Sequence, residues 1–131
     1  MKNANILNPE LISAIAAIGH TELFAIADAG LPIPKGVQVV DLSLVAGVPS
    51  FLQTLQAVCS ELVVEGATVA LEMEEVSPTH YEKTRALLQG MPMEKVSHEE
   101  FKALLPKVRT VVRTGETSSY CNVILRAGVN F

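Results

Sequence analysis

Residues 18–30 read IGHTELFAIADAG, and the rest of the chain can be organised around them. Residues 22–27 form a short and mostly apolar segment, which is typical of a strand buried inside a sheet. His20 precedes this segment, and Asp28 follows it in a turn of small residues. The chain has only three histidines, so one of them and an acid at the two ends of one buried strand suggest a function.

Helical and strand-like segments alternate along the whole sequence. Asn8 and Pro9 are typical of a helix start and Gly19 of a helix end. This alternation predicts a single-domain α/β layered fold over residues 1–131, with a mainly parallel central sheet flanked by helices. Strands are expected at residues 22–27, 37–44, 67–73, 91–96, 110–115 and 122–129; residues 50–62 show helical spacing of apolar residues, and capping boxes are expected at Thr79 with Glu82 and at Ser97 with Glu100.

The composition restricts the kind of partner. Of the 131 residues, 49% are hydrophobic and 18% are charged, so we expect other subunits to cover part of the apolar surface. The net charge is −4 and no basic cluster occurs, which argues against nucleic acid and anionic membranes. No signal peptide or membrane span is apparent, and Cys59 and Cys121 cannot complete a zinc site. We therefore expect a cytoplasmic protein with reduced thiols and no metal.

His20, Asp28 and His98 are the side chains most suited to chemistry. His20 follows the end of a helix, where the dipole favours an imidazolium, whereas His98 lies in the first turn of a helix, where it favours the neutral ring. Such a pair can divide acid and hydrogen-bonding roles. Asp28 ends a strand, at the edge where ligands bind in open α/β sheets. A surface or capping role explains His20 and Asp28 equally well when they are considered alone.

The remaining candidates have simpler explanations. Tyr120 and Asn122 flank a turn with groups that hydrogen-bond neutral hydroxyls. His80 is expected to be solvated, and Cys59 to lie in the core. Neither a metal-ligand set nor a glycine-rich phosphate loop is present. The acids Glu72, Glu74 and Glu75 are expected at a solvated strand end.

Longer segments of the chain resemble the D-ribose pyranase and sugar mutarotase family. They are ILNPELISAIAAIGHTELFAIADAGLPIP, DLSLVAGVPSF, SHEEFK and RTGETSSYCNVILRAGVNF, in the family's order and spacing from about Ile6 to Phe131. The combination of G-H-T, D-A-G-L-P-I-P and the R-T-G-E…Y-x-N…A-G-V-x-F ending is specific. The sequence departs from the family at Ser119, commonly proline, and at Cys121, commonly alanine; these changes affect the expected affinity more than the expected activity.

This resemblance implies an isomerase of carbohydrate metabolism that interconverts the pyranose and furanose forms of free D-ribose without a cofactor. It also implies a large cytoplasmic homo-oligomer, an octamer or a decamer, with sites near subunit boundaries. His20 matches the proposed catalytic acid. The positions that match substrate-binding residues are Asp28, His98, Tyr120, Cys121 and Asn122.

Three alternatives remain at this point. The chain could be a mutarotase for another sugar such as L-fucose, a non-catalytic sugar-binding accessory protein, or a nucleotide-binding α/β domain. The missing phosphate loop counts against the last of these. The lack of a phosphate clamp also favours free ribose over ribose 5-phosphate, although Lys35 is a cation close to Asp28 in sequence.

Overall fold

Six strands form one sheet at the centre of the computed structural model, which describes residues 6–129. Five strands run parallel to one another, and β6 alone runs antiparallel to its two neighbours. The mainly parallel α/β sheet predicted from the sequence is confirmed. In spatial order the strands are β2 (Gln38–Asp41), β5 (Thr110–Arg113), β1 (Leu23–Ala27), β6 (Val123–Ala127), β3 (Val64–Ala70) and β4 (Met93–Val96).

Helices cover both faces of the sheet. On one face, α1, α2 and α4 pack over Phe24, Ile26 and Leu125; on the other, α5 packs over Ala25 and Ala27. The apolar surface of each layer is thereby removed from water. The helices are α1 (Pro9–Ala17), α2 (Phe51–Cys59), α3 (Leu71–Val76), α4 (Pro78–Leu87) and α5 (His98–Leu104), followed by a short 3₁₀ turn at Leu105–Lys107.

The strand β1 lies inside the sheet between β5 and β6, and its residues alternate between the two cores. Phe24 and Ile26 face the larger cluster, whereas Ala25 and Ala27 face the smaller one, and all four are fully buried. Strands buried on both faces are apolar at every position, as this one is. The interpretation of residues 22–27 as a buried strand is confirmed.

The strand predicted over residues 67–73 has both of its bounds wrong. The strand β3 begins at Val64 and ends at Ala70, and Leu71 starts the helix α3. Glu72 and Glu74 lie in the first turn of α3, where carboxylates interact favourably with the helix dipole. The acids expected at a solvated strand end therefore belong to a helix.

Two further local predictions need correction. Thr79 and Glu82 form no capping box, since α4 begins at Pro78 and the hydroxyl of Ser77 donates to the carbonyl of Ser119 instead of capping the helix. The strand predicted over residues 37–44 ends at Asp41, because the Asp41 carboxylate accepts the N–H of Ser43 and turns the chain. The capping box predicted at Ser97 is confirmed in one half: the Ser97 hydroxyl accepts from the N–H of Glu100, whereas the Glu100 carboxylate bonds that hydroxyl and does not complete the box.

The direction of the strands determines which loops meet. The carboxyl ends of β1, β3, β4 and β5 lie at the same edge of the sheet as the amino end of β6. The residues that follow or precede these ends, including Asp28, His98 and Asn122, are thereby gathered from distant parts of the chain. No helix within residues 6–129 is both long and apolar enough to cross a bilayer.

Candidate functional site

A cleft of about 490 Å³ opens at this carboxyl edge of the sheet. One wall follows β1, and the other is the loop between β5 and β6; the start of α5 closes the end. Of the cleft-lining residues in the part of the chain described, none is lysine or arginine, and Lys35 is exposed elsewhere. The side chains that matter most for its chemistry are those of Asp28, His98, Glu116, Ser118 and Tyr120.

Asp28 is held by three hydrogen bonds at the end of β1. Its N–H donates to Oδ1 of Asn122 at 2.8 Å, and its Oδ2 accepts from Nδ2 of Asn122 at 3.2 Å. Its Oδ1 accepts from the N–H of Gly30 at 3.1 Å. Burial raises the pKa of Asp28, although the hydrogen bonds from Gly30 and Asn122 act in the opposite direction. Asn122 is fully buried behind Asp28, so its amide orients the carboxylate.

His98 and Tyr120 form the opposite part of the cleft. The imidazole of His98 is stacked on Phe101, and the ring of Tyr120 meets it edge-on at a centroid distance of 5.0 Å. The main-chain N–H of His98 donates to the carboxylate of Glu72, which fixes the start of α5. Nδ1 of His98 is buried and has no hydrogen-bond partner within residues 6–129. A buried polar atom of this kind normally has a partner.

Cys121 was expected among the substrate-binding residues, but its side chain turns into the core. The residue is fully buried, and its Sγ lies 3.7 Å from the carbonyl oxygen of Ser119. Burial raises the pKa of the thiol to about 12, so it stays protonated and unreactive. Cys59, predicted to be a core residue, packs partly buried against the larger hydrophobic cluster.

His20 lies at the other edge of the sheet, before the amino end of β1. Its Nε2 is 3.2 Å from Oε2 of Glu65, and half of its side-chain surface is exposed. The five residues of β1 span about 16 Å at about 3.3 Å per residue, so His20 and Asp28 of one chain do not share a pocket. The histidine and the acid at the two ends of this buried strand therefore do not contribute to one site within a single protomer.

Glu116 and His80 make a contact that the sequence did not predict. Glu116 lines the cleft with only 7% of its surface exposed, and its Oε1 accepts from the N–H of Phe51 at 3.0 Å. His80 was expected to be solvated, but α4 turns its ring inward, and Nε2 lies 3.8 Å from Oε2 of Glu116. Glu116 belongs to the R-T-G-E segment of the family resemblance, and no other feature of the sequence indicated that it lies in the site. No local pattern indicated His80.

A second cleft, of about 660 Å³, lies away from these residues, alongside α4 and β4. Its charged groups are already paired: Nζ of Lys95 is 3.0 Å from Oε1 of Glu74, and Nη1 of Arg85 is 3.5 Å from Oε2 of Glu82. The carboxyl-edge cleft, although smaller, is therefore the better candidate. It combines the partly buried carboxylate of Asp28, an imidazole nitrogen that lacks a partner among residues 6–129, and a phenol in one place.

Comparison with known proteins finds relatives that match the chain over its full length. D-ribose pyranase of Coprothermobacter proteolyticus is 50% identical over 131 residues, which cover 100% of both chains. D-ribose pyranase of Geobacillus kaustophilus is 47% identical over 100% of this chain and 96% of its own length. These identities extend from one end of the chain to the other.

The fold also matches solved structures. The structure of Bacillus subtilis RbsD complexed with D-ribose has a TM-score of 0.96 and 42% identity, with 100% of both chains covered. A fucose mutarotase from Streptococcus pneumoniae, solved with L-fucose, has a TM-score of 0.85 but only 20% identity, and so shares the fold alone. The model of the RbsD / FucU transport protein family matches residues 1–130. The chain therefore belongs to the RbsD / FucU family.

Proposed function

We propose that this protein is a D-ribose pyranase that interconverts the pyranose and furanose forms of free D-ribose. The observation that carries the proposal is the convergence of Asp28, His98 and Tyr120 on one cleft, with Nδ1 of His98 buried and lacking a protein partner among residues 6–129. The full-length relatives named D-ribose pyranase support it. The ribose complex of the 42% identical Bacillus protein supports the choice of sugar.

The cleft suits an uncharged sugar. Its polar groups accept and donate hydrogen bonds to hydroxyls, and a sugar that lacks the matching hydroxyl leaves a buried group unpaired. The carboxylates of Asp28 and Glu116 line the cleft without a cation among its described residues. A phosphate group would be repelled there, so free ribose is a better substrate than ribose 5-phosphate.

Changing the ring size requires the hemiacetal to open and then reclose through a different hydroxyl. A donor protonates the ring oxygen as the C–O bond breaks, and a base accepts the proton of the anomeric hydroxyl. Asp28, His98 and Tyr120 hold the hydroxyls, and the main chain of residues 120–122 adds contacts, while Asn122 orients Asp28. General acid–base assistance of about 10²–10⁴-fold, or roughly 3–5 kcal/mol, is sufficient for a reaction that already proceeds in water.

His20 is the proposed proton donor, and it acts from a neighbouring subunit. It lies at the amino edge of the sheet, opposite the cleft, so the site is complete only when two chains meet. Exposed apolar residues on the surface, including Leu44 and Val45, are consistent with a large homo-oligomer such as an octamer or a decamer. The two unpaired cysteines and the activity on free ribose fit a cytoplasmic enzyme.

Saturation-transfer NMR on free D-ribose tests the proposal directly. The wild-type protein is expected to accelerate exchange between ring forms, and His20→Ala is expected to lose at least about 10²-fold of that acceleration while still binding ribose. A panel that includes L-fucose separates a ribose enzyme from a mutarotase for another sugar. Ribose binding without any exchange in the wild type would instead indicate a binding protein.

A further inference from the structure

Glu116 is a buried carboxylate that the proposed mechanism leaves without a role. Its Oε1 accepts the N–H of Phe51 at the start of α2, and its Oε2 accepts the N–H of Ser118 at 3.2 Å. Burial alone would raise the pKa of Glu116, but the hydrogen bonds from Phe51 and Ser118 outweigh it and lower the pKa. The side chain is therefore held as an anion in the wall of the cleft.

The main chain of Glu116 attaches the same residue to the opposite wall. Its carbonyl accepts the N–H of Ala29, next to Asp28, at 2.9 Å. Its N–H donates to Oγ1 of Thr114, whose hydroxyl donates in turn to the carbonyl of Ala27. Glu116 thus connects the end of β1 with the turn that contains Ser118.

That turn holds Tyr120 in an unfavourable backbone conformation. The φ angle of Tyr120 is 61°, in the left-handed region that residues other than glycine rarely adopt. Such a conformation persists only where the surroundings enforce it. Two side chains hold the turn from outside: Glu116 at the N–H of Ser118, and Ser77 at the carbonyl of Ser119.

We propose that Glu116 is a positioning residue that sets the place of Tyr120 in the cleft and thereby the affinity for the sugar. This inference rests on the proposed function, because Tyr120 is assigned there as a ribose contact. His80 supports the same carboxylate from α4, with its Nε2 at 3.8 Å from Oε2. Glu116 acts through Tyr120 and takes no part in proton transfer.

Glu116→Gln tests this role with little change in volume. The amide oxygen of Gln can accept only one of the two main-chain N–H groups, since its NH₂ is a donor and faces the other. We expect the KM for D-ribose and the calorimetric Kd to rise about 10-fold, with kcat changed less than about 2-fold. A merely structural role would lower the active fraction and leave KM unchanged, which would overturn the proposal. Glu82→Gln, on the exposed side of α4, is the matched control.

A double-mutant cycle with Tyr120→Phe tests the route of the effect. If Glu116 acts through Tyr120, Glu116→Gln raises Kd much less in the Tyr120→Phe background than in the wild type. Full additivity of the two substitutions would overturn the proposal. If Glu116→Gln fails to fold, Glu116→Asp keeps the charge but cannot reach both N–H groups, and the same rise in KM and Kd is required of it.

The proposed function can fail separately from this inference. A wild-type protein that does not accelerate ring exchange refutes the pyranase activity. Calorimetric Kd values for ribose then still decide the role of Glu116, because the positioning of Tyr120 affects binding in the absence of turnover. Absence of ribose binding by the wild type would overturn both.

Discussion

At the scale of one residue, the partial burial of the Asp28 carboxylate lowers the stability of the fold and leaves the carboxylate available to a ligand. Its carboxylate is partly buried beside Asn122 and Gly30, where the hydrogen bonds fix its direction without fully replacing water. The result is a raised pKa, because burial disfavours the charged form. In the proposed function, this carboxylate accepts a hydrogen bond from a sugar hydroxyl. That hydrogen bond replaces part of the hydration that the carboxylate loses on burial.

The raised pKa of Asp28 predicts a pH-dependent stability difference. Above the ordinary pKa of 3.8 the unfolded chain releases this proton before the folded one does, so the folded wild type loses stability as the pH rises. Asn at this position carries no such cost. We therefore expect the free energy of unfolding of Asp28→Asn, relative to wild type, to increase as the pH rises above about 4 in denaturant titrations.

Asp41→Asn is the control for this prediction because its sign is opposite. Hydrogen bonds from the side chain and N–H of Ser43 lower the pKa of Asp41, so this carboxylate contributes stability that is lost as the pH falls. The stability of Asp41→Asn relative to wild type should then decrease as the pH rises, by a small amount because the side chain is exposed. If both variants differed from wild type by the same free energy of unfolding at every pH, the opposite pKa shifts of Asp28 and Asp41 would be contradicted.

At the scale of elements, the sheet could be predicted but its borders could not. The apolar pattern of residues 22–27 and the Ser97 cap are local signals, and both are confirmed. The end of β3 was misplaced because Leu71 and Met73 continue an apolar pattern that suits a strand as well as the first turn of a helix. Glu116 was missed for a different reason: its partner Phe51 is 65 residues away, and no local pattern encodes such a contact.

The part of the candidate site that could be predicted from the sequence is the part formed by residues next to the ends of strands. Asp28, His98 and Tyr120 meet because their loops follow or precede strands that end at one edge. His20 is separated from them by the same rule, since it precedes the strand that Asp28 follows. The direction of β1 therefore explains both why these three residues meet at the cleft and why His20 lies far from them.

Gly115 lies between the loop over residues 45–49 and the cleft. We expect even its replacement by alanine to destabilise the fold strongly. A Cβ added there would lie 2.5 Å from the carbonyl oxygen of Val48 and 2.6 Å from that of Val45. Both atoms belong to the backbone, so no side chain can move aside. We expect Gly115→Ala to lower the free energy of unfolding by at least about 2 kcal/mol, measured by urea denaturation at fixed protein concentration.

Gly30→Ala is the matched control for Gly115→Ala. The nearest atom to a Cβ at Gly30 is Oδ1 of Asp28, at 3.9 Å. Alanine at a position that accepts it changes stability by less than about 1 kcal/mol, with stabilisation the usual direction. Equal effects at the two glycines would mean that the loop over residues 45–49 yields easily, and that the close approach has no structural consequence.

At the scale of the whole molecule, the proposed arrangement depends on two features at opposite edges of the sheet. The cleft lies at the carboxyl edge, and His20, with Glu65 beside it, lies at the amino edge. The loop that follows β2 carries Leu44 and Val45, which are 76% and 61% exposed. Large apolar side chains in such positions are typical of surfaces that other subunits cover. A closed ring of identical chains can bring the cleft of one subunit to the donor of the next.

Subunit complementation tests this arrangement. His20→Ala keeps the cleft and lacks the donor, whereas Asp28→Ala keeps the donor and damages the cleft, so each homo-oligomer should be inactive in the ring-exchange assay. If every site combines the cleft of one chain with the His20 of another, random 1:1 hetero-oligomers regain about one quarter of the wild-type activity. Mixing the two folded proteins without subunit exchange is the control and should regain none. A hetero-oligomer that stays inactive, or a fully active monomer in sedimentation experiments, would mean that His20 does not act from a neighbouring chain.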